Sequence, residues 1–259
     1  MRKPKSILFL LTTVFIISFM NSSNLIAQDA PKRPQLFVGG GGFSQEMYVK
    51  FSKLAGPNAK LVVIPTATSR EVKPEEIQKR WQDRGIKEVS VLHTRDKEVA
   101  RSAGFADPLK TATVVWISGG SQSRIADAYL DTPVEEELYK LIERGGMIGG
   151  SSAGAAILSK MMISGGRVEP EITTGFDLVP GAIIDQHFLR RNRLKRLMAA
   201  IRAHPEMVGF GIDEDTAIHI NGNEYKVIGS SYVMQIEMVE GKIQLNAYED
   251  GETITINKE

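Results

Sequence analysis

The 259-residue chain has no cysteine. Its absence excludes disulfides, thiolate metal sites, a cysteine nucleophile and a lipidated cysteine anchor. A charge surplus is missing too. The 32 Lys and Arg against 31 Asp and Glu leave a formal net charge of +1, without the basic excess of a nucleic-acid surface. No internal repeat or low-complexity block is visible. Histidine is scarce, at four residues, so the candidates for a catalytic base are few. What remains is 42% hydrophobic and 24% charged, ordinary for a soluble globular protein and within the length of one α/β domain.

The N-terminus departs from this average. Arg2, Lys3 and Lys5 precede Ser6–Met20, which is almost wholly apolar, and Leu25-Ile26-Ala27-Gln28 follows a polar stretch. This is the build of a secretory signal. The apolar core is short of the roughly 20 residues that a membrane span needs. The sequence predicts a signal peptide over 1–27, a linker over 28–34 and a single domain over 35–259. Cleavage after Ala27 removes three cations and no acid, taking the charge from +1 to −2. An exported, periplasmic or extracellular protein without a stable membrane anchor is expected.

Beyond the linker, apolar runs rich in β-branched residues alternate with helical patterns. Gln35–Val38, Lys60–Ile64, Val89–His93, Thr113–Ser118 and Met147–Ile148 read as buried strands. Such runs separated by helices predict a mainly parallel sheet sandwiched by helices. Ala217–Ile220, Lys226–Gly229, Val233–Val239 and Lys242–Leu245 read as hairpin strands around Asn221-Gly222-Asn223 and Glu240-Gly241, an antiparallel C-terminal extension. Ligand sites in such sheets lie beyond the carboxyl ends of the strands. Three Gly-rich turns fall there, at 39–42, 119–120 and 149–154.

Gly150-Ser151-Ser152-Ala153-Gly154 fits G-x-S-x-G. Small residues let the chain reverse sharply and leave the serine strained, with its Oγ exposed. A helix over Ala155–Met162 is predicted behind it. The Ala153 N–H is the natural first oxyanion donor, with a second from the Gly119-Gly120 turn. A Gly/Ser-rich turn without chemistry is the bland alternative.

A serine nucleophile needs a base. His93 ends a strand pattern and His204 precedes Pro205 in a polar loop. His187 lies where an apolar run turns polar, and His219 sits inside a strand pattern. The acid is Asp185, Asp213, Glu214 or Asp215. Spacing leaves two chain orders open: Ser152, His187, Glu214, or Ser152, an Asp, His219, the order of α/β-hydrolase esterases.

Longer stretches carry a resemblance. Gly119-Gly120-Ser121-Gln122, Gly150-Ser151-Ser152-Ala153-Gly154-Ala155, Asp185-Gln186-His187-Phe188, then Arg191, Arg193 and Arg196, and Gly211-Ile212-Asp213-Glu214 resemble the serine peptidase family of cyanophycinase and the aspartyl dipeptidases. That family is related to class I glutamine amidotransferases, with serine in place of cysteine. The likeness runs from about Gln35 to Ile236. It implies a flavodoxin-like fold and a catalytic Ser152, His187 and Glu214, beside the Ala153 and Gly120 N–H groups already read as oxyanion donors. It also implies a substrate pocket of Gln122, Asp185, Gln186, Arg191, Arg193 and Arg196, the last two sharing a face if that segment is helical. No metal or organic cofactor is implied. The implied partner is a peptide or polypeptide rich in Asp and Arg. The implied reaction is hydrolysis of cyanophycin, a poly-aspartate with arginine amide-linked to its side chains, to β-Asp-Arg dipeptides. A homodimer is also what the family suggests. Two positions depart from the family's pattern: Ser121 stands where Asp is common, and Ser151 where Thr is usual. Loss of that Asp leaves other acidic or isoaspartyl peptides open as substrates. A non-catalytic binding protein is the remaining alternative.

Overall fold

A computed structural model describes residues 35–256, so the expected signal peptide and linker lie outside the described residues. The first half comprises β1 (Gln35–Gly39), α1 (Gln45–Ala55), β2 (Lys60–Ile64), α2 (Pro74–Asp83), β3 (Glu88–Val91), α3 (Lys97–Arg101) and α4 (Asp107–Thr111). There follow β4 (Val114–Ile117), α5 (Gln122–Tyr129), α6 (Pro133–Glu143), β5 (Met147–Ser151), α7 (Ala153–Ala156), β6 (Met161–Gly165) and β7 (Glu171–Thr174). The last part holds β8 (Ala182–Gln186), α8 (Leu194–Ala203), β9 (Val208–Ile212), β10 (Thr216–Asn221), β11 (Glu224–Gly229), β12 (Val233–Val239), β13 (Lys242–Tyr248) and β14 (Thr253–Ile254).

The main sheet runs β14-β11-β10-β1-β5-β4-β2-β3. From β1 to β3 all neighbours are parallel, and β10, β11 and β14 extend it antiparallel. The parallel strands are apolar on consecutive positions because both faces are buried, and alternation sends neighbouring residues to opposite cores. Val62, Ile64, Val115 and Ile117 join the large core under α5, α6 and α7. Leu61, Val63, Val114 and Trp116 face α1 and α2. The second core holds both tryptophans, Trp81 and Trp116, with ring centroids 5.3 Å apart, and Phe51 edge-on to each.

The mixed α/β architecture is the one expected, with two differences of detail. The C-terminal strands do not form one extension. β12 and β13 belong to a separate sheet, β13-β12-β9-β8. The chain leaves the main sheet at Gly229, whose φ of +149° places the backbone against Asp215 and Thr216. Asp213 N–H then bonds Tyr232 O (3.2 Å) and starts the pairing of β12 with β9. The predicted helix over Ala155–Met162 is also cut short. α7 is one turn, and Leu158 and Ser159 N–H bond three residues back. Phe176 N–H then takes Ile157 O (2.7 Å) and Leu178 N–H takes Leu158 O (2.8 Å), so tertiary pairing ends the helix that local propensity favours.

Candidate active site

Three carboxyl edges of the fold meet at the end of β1. Gly39, Gly40 and Gly41 expose successive carbonyls, and each holds a different segment. Gly39 O accepts from Ser152 N–H (2.9 Å), Gly40 O from His187 N–H (2.8 Å) and Gly41 O from Asp215 N–H (2.8 Å). Thus one loop fixes the backbone at Ser152, at His187 and beside Glu214.

Ser152 follows β5 directly, with φ 56° and ψ −114°. That backbone is costly for a residue with a β-carbon and matches the strained strand-to-helix turn the motif requires. Gly150 and Gly154 make the reversal possible, because a β-carbon on Gly150 would lie 2.0 Å from Gly154 O. His187 also has a positive φ, 49°. Two of the three side chains in this cluster therefore sit on strained backbone.

His187 Nε2 lies 2.8 Å from Ser152 Oγ, and its Nδ1 lies 2.7 Å from Glu214 Oε1. An ionised carboxylate only accepts, so Nδ1–H donates to Glu214 and Nε2 is left to accept from Ser152 Oγ–H. The imidazole is nearly buried while the Glu214 side chain is 35% exposed. Burial pushes the His187 pKa below 6.5; the Glu214 hydrogen bond opposes this, and the Arg191 cation adds to it. The ring is held neutral near pH 7 and able to accept a proton.

The other acids do different work. Asp213 accepts from Arg190 N–H and Ser231 Oγ, both 2.9 Å. Asp215 accepts from Ser44 N–H (2.8 Å) and Ser230 Oγ (3.0 Å). They tie down loops on either side of Glu214. His219 lies on β10 opposite Phe37, and its Nε2 is buried without a hydrogen-bond partner among the described residues. It makes no bond to Ser152, so the α/β-hydrolase order has no geometry here.

Ala153 N–H, Gly119 N–H and Gly120 N–H have no protein acceptor among the described residues, whereas Ser121 N–H is taken by Ala67 O (2.9 Å). A β-carbon on Gly119 would lie 3.8 Å from Ser152 Oγ, and one on Gly120 would strike Ala67 O at 2.2 Å. The turn thus passes beside Ser152 and admits only glycine at Gly120. Because α7 is a single turn, any oxyanion here meets individual N–H groups rather than the dipole of a full helix.

Four of the six residues expected to line a pocket, Asp185, Gln186, Arg193 and Arg196, form a connected polar group. Asp185, fully buried, accepts from Arg196 Nε (2.9 Å), Arg196 Nη2 (2.5 Å) and Arg193 Nη1 (3.3 Å). Arg196 Nη1 also donates to Gly166 O (2.7 Å). Arg193 lies at the N-cap of α8 rather than inside it, yet reaches the same carboxylate and bonds Gln186 through both its carbonyl (2.5 Å) and its side-chain oxygen. Burial pushes the Arg193 pKa down to about 10, still a cation at neutral pH. Gln122 donates to Ile163 O (2.7 Å) and Ser164 O (3.3 Å). Gln122 and Arg196 thereby anchor the β6–β7 hairpin beside the site. Arg191 is exposed. Ser121 starts α5 without a side-chain cap bond, and Ser151 is buried. Among the described residues, no group of three or more His, Asp or Glu side chains is placed to hold a metal ion.

Sequence reasoning assigned no role to Gly41 and Gly42. A β-carbon on Gly41 would lie 2.6 Å from His187 Nε2, and one on Gly42 would lie 2.9 Å from Glu214 Cδ. The run of four glycines at 39–42 was the available signal.

Comparison with known proteins places the chain in a family. The chain is 33% identical over 218 residues to a cyanophycinase from Geminocystis herdmanii, covering 78% of this chain and 79% of the relative. It is 34% identical over 228 residues to a cyanophycinase from Trichormus variabilis, covering 82% and 76%. Among solved structures, a peptidase from an acI-B1 actinobacterium superposes with a TM-score of 0.68 at 24% identity, covering 86% of this chain and 97% of that one; this likeness bears on the fold. The model of "Peptidase family S51" matches residues 36–228, a span that includes Ser152, His187 and Glu214. By that match the chain belongs to peptidase family S51 and is a serine-type peptidase.

Proposed function

We propose that the protein is an exported cyanophycinase-like exopeptidase that hydrolyses cyanophycin to β-Asp-Arg dipeptides through an acyl-enzyme on Ser152. The observation that carries this is the hydrogen-bonded chain from Ser152 Oγ through His187 to Glu214, in a chain one-third identical to two cyanophycinases. His187 takes the Ser152 proton as Oγ attacks the scissile carbonyl. Glu214 holds the imidazole in its tautomer and stabilises its cation. The N–H groups of Ala153 and Gly120 receive the oxyanion, each worth ~3–4 kcal/mol. His187 then protonates the leaving amine. Water, activated by the same imidazole, releases the acyl group.

Arg191, which is exposed, and the guanidinium nitrogens of Arg193 other than Nη1, which is spent on Asp185 and Gln186, are the cationic donors offered to substrate carboxylates. Asp185, Arg196 and Gln122 act as positioning residues, because their polar atoms are engaged with protein partners. Export rests on the basic and apolar character of residues 1–27.

The test is a product assay on three substrates: insoluble cyanophycin, a β-aspartyl dipeptide and an α-linked acidic peptide. Release of β-Asp-Arg from cyanophycin, at a rate well above either alternative, is expected. Turnover of β-aspartyl dipeptides alone would move the assignment to isoaspartyl peptides, in keeping with Ser121. Export is tested by fractionating a producing cell; mature protein confined to the cytosol would contradict it.

A further inference from the structure

A second concavity opens at the carboxyl edge of the main sheet, one strand away from the nucleophile. It is a cavity of about 540 Å³ that begins at Ser118 and Gly119 and extends past Pro65 to the face of α2. Gly119 joins it to the catalytic centre, since a β-carbon there would lie 3.3 Å from Ser152 Cβ. Its floor is rigid: Trp81 and Trp116 are buried, and Tyr48 meets both edge-on at 5.5 Å.

Its rim is mostly cationic. Arg70, Lys73, Arg80 and Arg84 face two acids, Glu71 and Glu76. Lys73 is neutralised by Glu76 at 3.3 Å. Arg84 is fixed, with its guanidinium carbon 3.6 Å from the Tyr48 ring centroid and its Nε donating to Gln45 (3.2 Å). The side chains of Arg70 and Arg80 have no ion-pair partner among the described residues. By contrast Lys79, next along α2, pairs with Asp83 at 3.3 Å. Two guanidinium groups without ion-pair partners among the described residues, on the rim of a concavity lined at one end by Gly119 beside Ser152, suit a carboxylate ligand, because the planar fork donates to it bidentately. Each arginine of a cyanophycin-like polymer is linked through its α-amine and so presents a free α-carboxylate.

We propose that this cavity is an extended subsite in which Arg70 and Arg80 bind a carboxylate of the substrate beyond the residue whose bond is cut. The proposal rests on Ser152 being the nucleophile of a peptidase acting on carboxylate-rich chains. It assigns the cavity to affinity for the polymer, not to bond breaking.

Two measurements on Arg70→Gln/Arg80→Gln test it. In the first, fluorescent penta-aspartate is titrated against protein carrying Ser152→Ala, with and without the arginine changes, and anisotropy is read. Loss of both guanidinium groups should weaken binding roughly tenfold and flatten its salt dependence. Lys110→Gln/Lys140→Gln, on α4 and α6, is the charge-matched control and should leave binding unchanged. Equal affinity with and without the arginines, or equal weakening by the control, overturns the subsite. In the second, KM for cyanophycin should rise roughly tenfold with kcat within twofold, while a single-residue β-aspartyl anilide is cleaved as before. An unchanged KM also overturns it. If cyanophycin is not cleaved by the wild type, the proposed substrate fails, and the penta-aspartate titration still decides the subsite.

Discussion

Gly41 lies against His187 so closely that a β-carbon would meet imidazole Cε1 at 2.5 Å and Nε2 at 2.6 Å. The imidazole cannot keep its bond to Ser152 beside any larger residue. Gly41→Ala should therefore lower kcat about 100-fold, the scale of a misplacement near 1 Å. The positive φ of +102° adds a stability cost of roughly 1–2 kcal/mol. A kcat within threefold of wild type, in protein that melts normally, would show that the ring has room the structure denies it.

Glu214 and its two acidic neighbours separate by their contacts. Glu214→Gln removes the acceptor that fixes the His187 tautomer, and kcat should fall about 10³–10⁴-fold. Asp213→Asn and Asp215→Asn loosen loop bonds to Arg190, Ser231, Ser44 and Ser230, so each should cost about 1 kcal/mol in urea unfolding, with kcat reduced less than tenfold. If Asp213→Asn removes activity as fully as Glu214→Gln does, the acid has been misassigned.

That assignment shows where the sequence stops being informative. Parallel strands were legible because a strand buried on both faces has no polar alternation, as in Lys60–Ile64 and Val114–Ile117. The elbow was legible because few residues tolerate the backbone Ser152 adopts. The acid was implied by the resemblance alone: Asp213, Glu214 and Asp215 are adjacent and chemically alike, and only the chain path from β9 to β10 decides which one faces the imidazole. His187 against His219 is likewise a tertiary matter: only the His187 imidazole lies within hydrogen-bond distance of Ser152 Oγ. The end of α7 was missed because Ile157 and Leu158 have helical propensity, but their carbonyls are claimed by Phe176 and Leu178. Arg193 and Arg196 were pocket residues by resemblance alone; that both pair with Asp185 depends on how the chain folds between β8 and α8.

The pH profile follows from the burial of His187. Proton abstraction needs the neutral imidazole, and its folded pKa is lowered from 6.5 by burial first and by Arg191 further. Activity should be retained down to a pH below 6.5 and lost as pH falls through the lowered value. Arg191→Gln removes a nearby cation, so the acid limb of kcat/KM should move upward. A limb that moves downward in that variant would mean the titrating group is not His187.

Asp185 is a stability residue as much as a site residue. Its carboxylate is fully buried against Arg196 and Arg193. Asp185→Ala should cost about 3–5 kcal/mol by leaving buried cations unpaired. Asp185→Leu/Arg196→Leu, which removes the pair together, should recover much of that loss. Equal destabilisation by the single and the double variant would contradict a paired role.

The central claim is that Ser152 forms the acyl-enzyme. Rapid acid quench of the turning-over enzyme, followed by peptide mass mapping, tests it most directly. An adduct with the mass of the substrate acyl group on the peptide containing Ser152, absent in Ser152→Ala together with all turnover, is the predicted result. Turnover that persists in folded Ser152→Ala, or an adduct on any other residue, would contradict it.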